Sequence, residues 1–599
     1  MDAASRKEVY KELLRENESV LPVLQRRHLI IAVFRLFVFI GGIILSAFAF
    51  TRSVIPGITC SVVIAGIFLY LVKIYDSLSQ KIALIQNIIK INQSEIKALD
   101  GDYSDFDGGS DFIDPGHDFS ADIDLFGENS LFRFLNRTVT GAGRECLANW
   151  LSEPYLFKDS IIERQTAVRE LSGMIAWRQQ FLAHGLDKAL SRAEIQSLTE
   201  WLNEKDSFFS SGFLRVTARL MPVATILMLV LVITGKVPYS FFLFLFFINL
   251  LLVGYFIRKT NRIHDRISRK HLILSSYTQL IEAIESEHFS SAILVEAREK
   301  ICGREHSASV EIRKLNSIIK AFDSRLNFIA GFVLNGLALW DFQCIIRLEK
   351  WRSSGASSLP VWLNSIGDID AFISFANYAY NNPAYAFPEP VGNSVMIDAV
   401  SLGHPLLNEE SRVTNDFIVP HPGKIFVITG ANMAGKSTFL RTVAVNLILA
   451  MAGAPVCASS MRFTTVRLFT SMRTTDSLSS HESYFYAELK RLKMLKIRLE
   501  AGERIFFILD EILKGTNSTD KSLGSKQFLK KMIGLGGTGM IATHDISLGA
   551  LEKEFPDRII NKCFEIEIDG ENISFDYLLR DGITVRMNAA VLMKQMGIV

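Results

Sequence analysis

Apolar residues recur at helical spacing among Glu and Lys over 126–215 and 258–390, but four stretches of this chain are apolar on every side. Residues 29–50 hold a single charge, Arg35, and 54–72 hold none; 220–234 is shorter and contains Pro222, and 237–257 is again uncharged. A hydrocarbon layer of about 30 Å is crossed by about 20 helical residues. The second and fourth stretches meet that length, and the first does if Arg35 reaches back toward the interface. Only Thr51-Arg52-Ser53 and Gly235-Lys236 separate the partners, so each pair predicts a tight helical hairpin with both ends on one side. Arg26, Arg27, Lys73 and Lys81 flank the outer ends of the first pair, and Arg215, Arg219, Arg258, Lys259 and Arg262 those of the second. Each turn has one basic residue, so the charge bias predicts that the large polar parts lie in the cytoplasm, and the membrane expected is a bacterial cytoplasmic one.

The rest of the chain divides around these hairpins. Residues 1–97 read as helices carrying the first hairpin, and 98–125 as a solvated acidic linker whose carboxylates lack the spacing of a calcium loop. A helical region over 126–215 leads into the second hairpin, 216–257, and another follows over 258–390. From 391 to 599 apolar strands alternate with helices, which predicts an α/β domain ending in a small hairpin, 561–579, and a last helix, 588–596. The expected architecture is thus a C-terminal α/β domain preceded by an all-α region and two transmembrane hairpins. The basic run Arg258, Lys259, Arg262, Arg266, Arg269 and Lys270 suits a membrane surface better than DNA phosphates because it directly follows a span.

Composition adds little beyond this. Hydrophobic residues make up 49% of 599 positions and the net charge is +2, so any polyanion surface must be a local patch. The six cysteines are scattered, with no CxxC pair, which argues against a zinc site or a disulfide framework. The polar, mixed-charge N-terminus does not read as a cleaved signal peptide.

Candidate chemistry is concentrated near residue 430. An apolar strand runs into Gly430-Ala431-Asn432-Met433-Ala434-Gly435-Lys436-Ser437-Thr438, which fits G-x-x-x-x-G-K-[ST], and a helix follows. Such a loop turns backbone N–H groups onto phosphates at the positive end of a helix. Lys436 is expected at the β- and γ-phosphates of ATP and Ser437 on Mg2+. A second apolar strand ends in Asp510-Glu511, where Asp510 is expected to hold the metal and Glu511 to polarise the attacking water. A third delivers His544 at the edge where α/β sheets bind ligands, positioned to sense the γ-phosphate. These residues predict an ATPase.

The segment 429–438 resembles the TGPNMGGKST loop of the MutS family of ATPases, with Ala431 and Ala434 replacing Pro and Gly. Further resemblances are Gly403-His404-Pro405, Asn415-Asp416, the 483–489 segment SYFYAEL, the 510–518 segment DEILKGTNS, and Ala542-Thr543-His544. Within 131–171, Asn136-Arg137-Thr138, Thr140, Gly143-Arg144, Trp150, Pro154 and Arg164 are similar to the start of that family's helical lever. The resemblance implies a homodimer paired head to tail through the ATPase domains, each site completed by the partner, with Ser483 facing the γ-phosphate on the other subunit. Tyr484 departs from the family's Thr.

Other departures bear on function. The family's mismatch-reading domain is replaced by the first hairpin and the acidic stretch, and Phe126-Gly127-Glu128 reads as structural although it spells Phe-x-Glu. Little chain remains after the second hairpin for a DNA clamp. The leading expectation is a membrane-anchored MutS-like ATPase, with DNA binding in repair or recombination left open. The alternatives are a regulatory or scaffolding membrane ATPase without DNA, and a transporter half of the ABC type. The transporter reading is weakened by the lack of an LSGGQ-like segment before Asp510.

Overall fold

The computed structural model describes residues 3–154, 157–186, 200, 212–268, 271–303, 307–355, 358–392, 396–473, 484–515, 517–569 and 572–584. The expected last helix and Ser483 lie outside the described residues.

The first hairpin is built from two very long helices, α1 (Ala3–Arg52) and α2 (Val54–Leu99), which run without a break through the apolar stretches. Arg35 lies with its guanidinium 4.3 Å from the Tyr75 ring on α2, and His28 stacks on the same ring at 4.0 Å. Tyr75 follows the apolar run, so Arg35 does reach back toward the end at which α1 enters.

The first part of the lever-like region is α3 (Leu131–Leu135), α4 (Gly141–Ser152), α5 (Lys158–Ser172) and α6 (Ile175–Gly185). The second hairpin is α7 (Gly212–Ile233) and α8 (Tyr239–Ser268). The third apolar stretch was expected to start near 220, but its helix begins eight residues earlier and carries Pro222 inside it. From Leu214 to Ile233 it has 20 residues, enough to cross. Large apolar side chains on all four helices face outward: Phe37 is 69% exposed and Leu251 74%. A surface of this kind is unfavourable in water and at home in lipid. The four helices make this an integral membrane protein, with the remaining helical and α/β parts outside the layer.

The second part of the lever-like region comprises α9 (His271–Glu285), α10 (Ala292–Cys302), α11 (Ala308–Asp323), α12 (Phe328–Ala338), α13 (Trp340–Gly355) and α14 (Leu359–Asn381). Helix α14 is the axis of the region, buried along nearly its whole length against α4, α5 and α10. Several of the lever residues singled out by resemblance make structural contacts. Thr140 caps α4 through Gly143 N and donates its hydroxyl to the fully buried Asp370 of α14 at 2.7 Å. Arg137 pairs with the buried Glu95 of α2, and Arg144 with Asp107 and Asp111. The Arg164 guanidinium stacks on Trp150 at 3.7 Å. Phe126 packs against Phe112 and Phe132, as a structural residue would.

Glu95 also accepts from Asn377 at 2.8 Å and from Asn381 at 2.9 Å, and Tyr10 of α1 donates to Asn381 at 2.8 Å. The first hairpin therefore enters the lever through a buried polar network rather than a flexible joint.

The α/β part has two sheets. Strands β1 (Glu389–Pro390), β2 (Ile397–Leu402), β3 (Asn415–Val419) and β5 (Ser460–Phe463) form the smaller one, in the order β1-β5-β2-β3. The larger holds β4 (Ile425–Gly430), β6 (Arg467–Ser471), β7 (Ile505–Asp510), β8 (Thr538–Thr543), β9 (Ile559–Asp569) and β10 (Asn572–Asp581). Its order is β10-β9-β4-β8-β7-β6, parallel except for the β9–β10 hairpin. Helices α15 (Lys436–Ala452), α16 (Tyr484–Glu500), α17 (Ser518–Gly534) and α18 (Leu551–Glu554) complete it. Alternate residues of β4 serve two cores: Phe426 and Ile428 join α15 and the lever, and Ile425 and Val427 join α16 and α17. Central strands buried on both faces read as unbroken apolar runs for this reason.

The expectation of a solvated acidic linker over 98–125 is corrected by the packing at the end of the stretch, while most of 101–116 is exposed. Phe119, Asp122, Ile123 and Leu125 are buried. Asp122 accepts from the Thr470 hydroxyl and from Arg473 N at 2.7 Å, Asp118 pairs with Arg498 at 2.6 Å, and Asp124 pairs with Arg473. Apolar residues between the acids and matching arginines on the α/β domain turn an acidic stretch into a docked strap.

Candidate functional site

The parallel strands β4, β7 and β8 end at one edge of the sheet, and the candidate residues follow from that edge. The loop after β4 closes tightly because two of its residues adopt left-handed backbone, Met433 at φ 64° and Gly435 at φ 101°. A side chain at Gly435 would be strained in that conformation and would also meet the Tyr577 ring at 3.0 Å. Ala431 and Ala434 are buried beneath the loop, whereas Met433 is 73% exposed. Lys436, Ser437 and Thr438 form the first turn of α15, whose unpaired N–H end favours anions.

Lys436 is buried, and its amine donates to the carbonyls of Gly430 at 2.8 Å and Ala431 at 2.7 Å. Burial pulls its pKa down to about 8, opposed by the negative charges of Asp510 and Glu511. The Ser437 hydroxyl donates to Asp510 at 2.5 Å, tying the loop to the end of β7. Among the described residues no group of three or more His, Cys, Asp or Glu side chains forms a metal cage. Ser437 and Asp510 nevertheless suit Mg2+, which commonly rests on one or two protein oxygens together with phosphate oxygens and water.

Glu511 has left-handed backbone at φ 50°, and its N–H donates to Ala542 O at 2.9 Å. His544 Nε2 lies 2.7 Å from Glu511 Oε1. That hydrogen bond, against an opposing effect of burial, holds the Glu511 carboxyl down at about 2, so it stays ionised at neutral pH. Of the predicted residues, Asn432 to Thr438, Asp510, Glu511 and His544 line one cleft of about 710 Å³, and Gly430 and Ala431 lie behind it with their carbonyls on Lys436.

Five further residues, Glu488, His404, Lys514, Tyr577 and Asn415, complete the site and were given no role from sequence. Glu488 of α16 is buried and accepts from Leu513 N at 2.6 Å and Lys514 N at 3.2 Å, fixing the loop after Glu511. His404 and Lys514 line the cleft, and burial lowers the His404 pKa to about 4, leaving a neutral ring. Tyr577 lies in the irregular part of the β9–β10 pairing at φ 56°. Asn415 holds that irregularity through Tyr577 O at 3.0 Å and Leu579 N at 2.7 Å. Glu488, His404, Asn415 and Lys514 each lie in a segment that carries the resemblance, whereas Tyr577 had no local signal.

The far end of α15 reaches the lever. The Arg164 guanidinium, on α5, donates to Ala452 O at 2.9 Å, at the helix end where carbonyls lack intrahelical partners. The helix that starts at Lys436 thus ends on the lever.

A model of MutS domain V matches residues 426–595, and one of MutS domain III matches residues 119–328. The chain is 28% identical to the DNA mismatch repair protein MutS of Fusobacterium nucleatum over 329 residues, 54% of this chain and 32% of that protein. Against MutS of Thermotoga petrophila it is 30% identical over 223 residues, covering 37% of this chain and 28% of that one. DNA mismatch repair protein MutS 2 of Halobacterium salinarum is 29% identical over 247 residues, covering 40% and 28% respectively. The chain spans a third or less of the length of these relatives. The matches support membership of the MutS family. The domain III match encloses the second hairpin, so a span interrupts the lever-like region itself.

Proposed function

We propose that this MutS-like chain is a membrane-anchored ATPase that binds and hydrolyses ATP with Mg2+ and passes the nucleotide state through its lever-like helices to the hairpins. The observation that carries this reading is the bond from Ser437 to Asp510 beside the buried Lys436, directly in front of the Glu511–His544 pair. ATP supplies the anhydride bond, and Mg2+ neutralises phosphate charge. The loop N–H groups and Lys436 hold the phosphates. Ser437 and Asp510 hold the metal. Glu511, kept ionised by His544, orients water at the terminal phosphate. Held near 2, this carboxylate is a weak base, so positioning is its larger contribution.

Composite sites in a homodimer follow from the family resemblance, with Ser483 completing the partner's site. The charge flanking the spans puts these parts on the cytoplasmic side. DNA coupling in repair or recombination is the family's precedent. A regulatory or scaffolding role without DNA is favoured by one observation: the lever-like region carries a membrane hairpin between α6 and α9.

In detergent-solubilised full-length protein, Lys436→Ala should lose nucleotide retention and Glu511→Gln should retain nucleotide but lose turnover. Hydrolysis that survives both changes would refute the assignment. Binding to duplex, mismatched and branched DNA at two salt concentrations separates the DNA reading from the scaffold reading, because phosphate contacts weaken steeply with salt.

A further inference from the structure

Among the described residues, helix α12 carries an exposed apolar face outside the four spans that no role above assigns. Residues 326–340 carry no charge, and the outward face of α12 repeats at helical spacing: Phe328 is 84% exposed, Ile329 74%, Phe332 43% and Val333 41%. The stretch is too short to cross a bilayer, which takes about 20 residues. Its two ends close on each other, because Arg325 pairs with Asp341 at 3.2 Å. Leu339, with left-handed backbone at φ 48°, turns the chain, and α13 leaves at 79° to α12.

The inner face of α12 rests on the second hairpin at the depth of its apolar run. Asn249, in the middle of the 237–257 stretch, donates to Gly336 O at 2.8 Å and to Thr225 of α7 at 3.0 Å. The amide thus spends its donors between three helices, as buried polar groups in lipid must. Gly336 is needed for the approach, since a Cβ there would stand 2.2 Å from the Phe246 ring. The Phe246 and Phe332 rings also meet, with centroids 5.4 Å apart.

We propose that α12 is a fifth membrane-embedded element, a re-entrant segment that enters the lipid layer beside α8 and leaves on the same side with Phe328, Ile329, Phe332 and Val333 against acyl chains. The occupant is lipid because this exposed apolar helix packs on α8 through the Phe246–Phe332 contact and the Asn249 bond at mid-span, where α8 itself is lipid-facing. This inference rests on the membrane placement and is independent of the nucleotide chemistry.

Nitroxide labels at Phe328→Cys, Ile329→Cys and Phe332→Cys in the full-length protein, reconstituted in phospholipid nanodiscs, test it. Phe247→Cys on α8 is the lipid-facing reference and Val361→Cys on α14 the water-facing one, both at exposed positions. The signal of the unsubstituted protein is subtracted. Lipid excludes polar solutes, so collisions with oxygen should exceed those with a water-soluble nickel chelate by about tenfold relative to Val361→Cys. Monodisperse elution of each variant checks that it is folded. Chelate collisions equal to those at Val361→Cys would overturn the proposal in favour of a solvent-facing helix. Low collision rates with both reagents would overturn it in favour of a protein partner or second copy covering the face.

Discussion

Nucleotide affinity should fall as pH rises past about 8, because the buried Lys436 amine titrates there rather than near 10.5. The sign follows from the cause. Burial disfavours the ammonium, lowering the pKa, and phosphate binds the charged form. Below the shifted value the amine is protonated and affinity is flat; above it, each binding event must first return a proton. At about pH 9 a group titrating near 8 is about one-tenth protonated, so Kd should be about tenfold weaker than near pH 7. The terminal phosphate protonates near pH 6 and does not contribute in this window. The assay is titration of a fluorescent ATP analogue with the detergent-solubilised protein at constant Mg2+. Lys436→Arg provides the control: a guanidinium stays charged, so whatever affinity remains should be independent of pH between about 7 and 9. An unchanged Kd across that range in the parent protein, or an equal decline in Lys436→Arg, would show that Lys436 is not the titrating group that contacts phosphate.

Three other perturbations test the surrounding architecture. Glu488→Ala strands the N–H groups of Leu513 and Lys514, and should cost about 1–3 kcal/mol of stability while slowing hydrolysis more than it weakens binding. Thermal unfolding and steady-state turnover measure the two effects. Arg137→Met leaves Glu95 as an uncompensated buried charge and should destabilise the protein by about 3–5 kcal/mol. The double variant with Glu95→Leu should unfold at a higher temperature than Arg137→Met alone, and a lower one would contradict the pairing. Asp122→Ala removes the acceptor of Thr470 and Arg473 N, so hydrogen exchange at Arg473 should accelerate without a change at Ile425–Gly430. Equal acceleration at both places would mean general unfolding rather than release of the strap.

The spans and the phosphate-type loop were legible because each is written in contiguous residues. A run of about 20 uncharged apolar positions needs no partner to announce itself. Gly430 to Ser437 likewise carries its backbone requirements in its own sequence, and the strands ending at Asp510 and His544 are marked by their buried apolar runs. Ser483 was singled out only through the family resemblance, and it lies outside the described residues.

The acidic stretch shows where local reading stops. Its charges suggested a solvated linker, but Arg473, Arg491 and Arg498, more than 300 residues away, give Asp118, Asp122 and Asp124 partners. By sequence, α12 falls within the helical region 258–390 and carries no run of span length. Its depth became visible only when Asn249 met Gly336.

By itself, then, the sequence determined which segments are compatible with lipid and which loop can wrap phosphates, since both depend on chemistry along a continuous backbone. The tertiary structure decided which distant groups neutralise Glu95 and Asp122, what holds Tyr577 over Gly435, and where α12 lies. Those outcomes depend on burial and on partners brought together by folding, and burial is what makes an unpaired charge or amide too costly to leave alone.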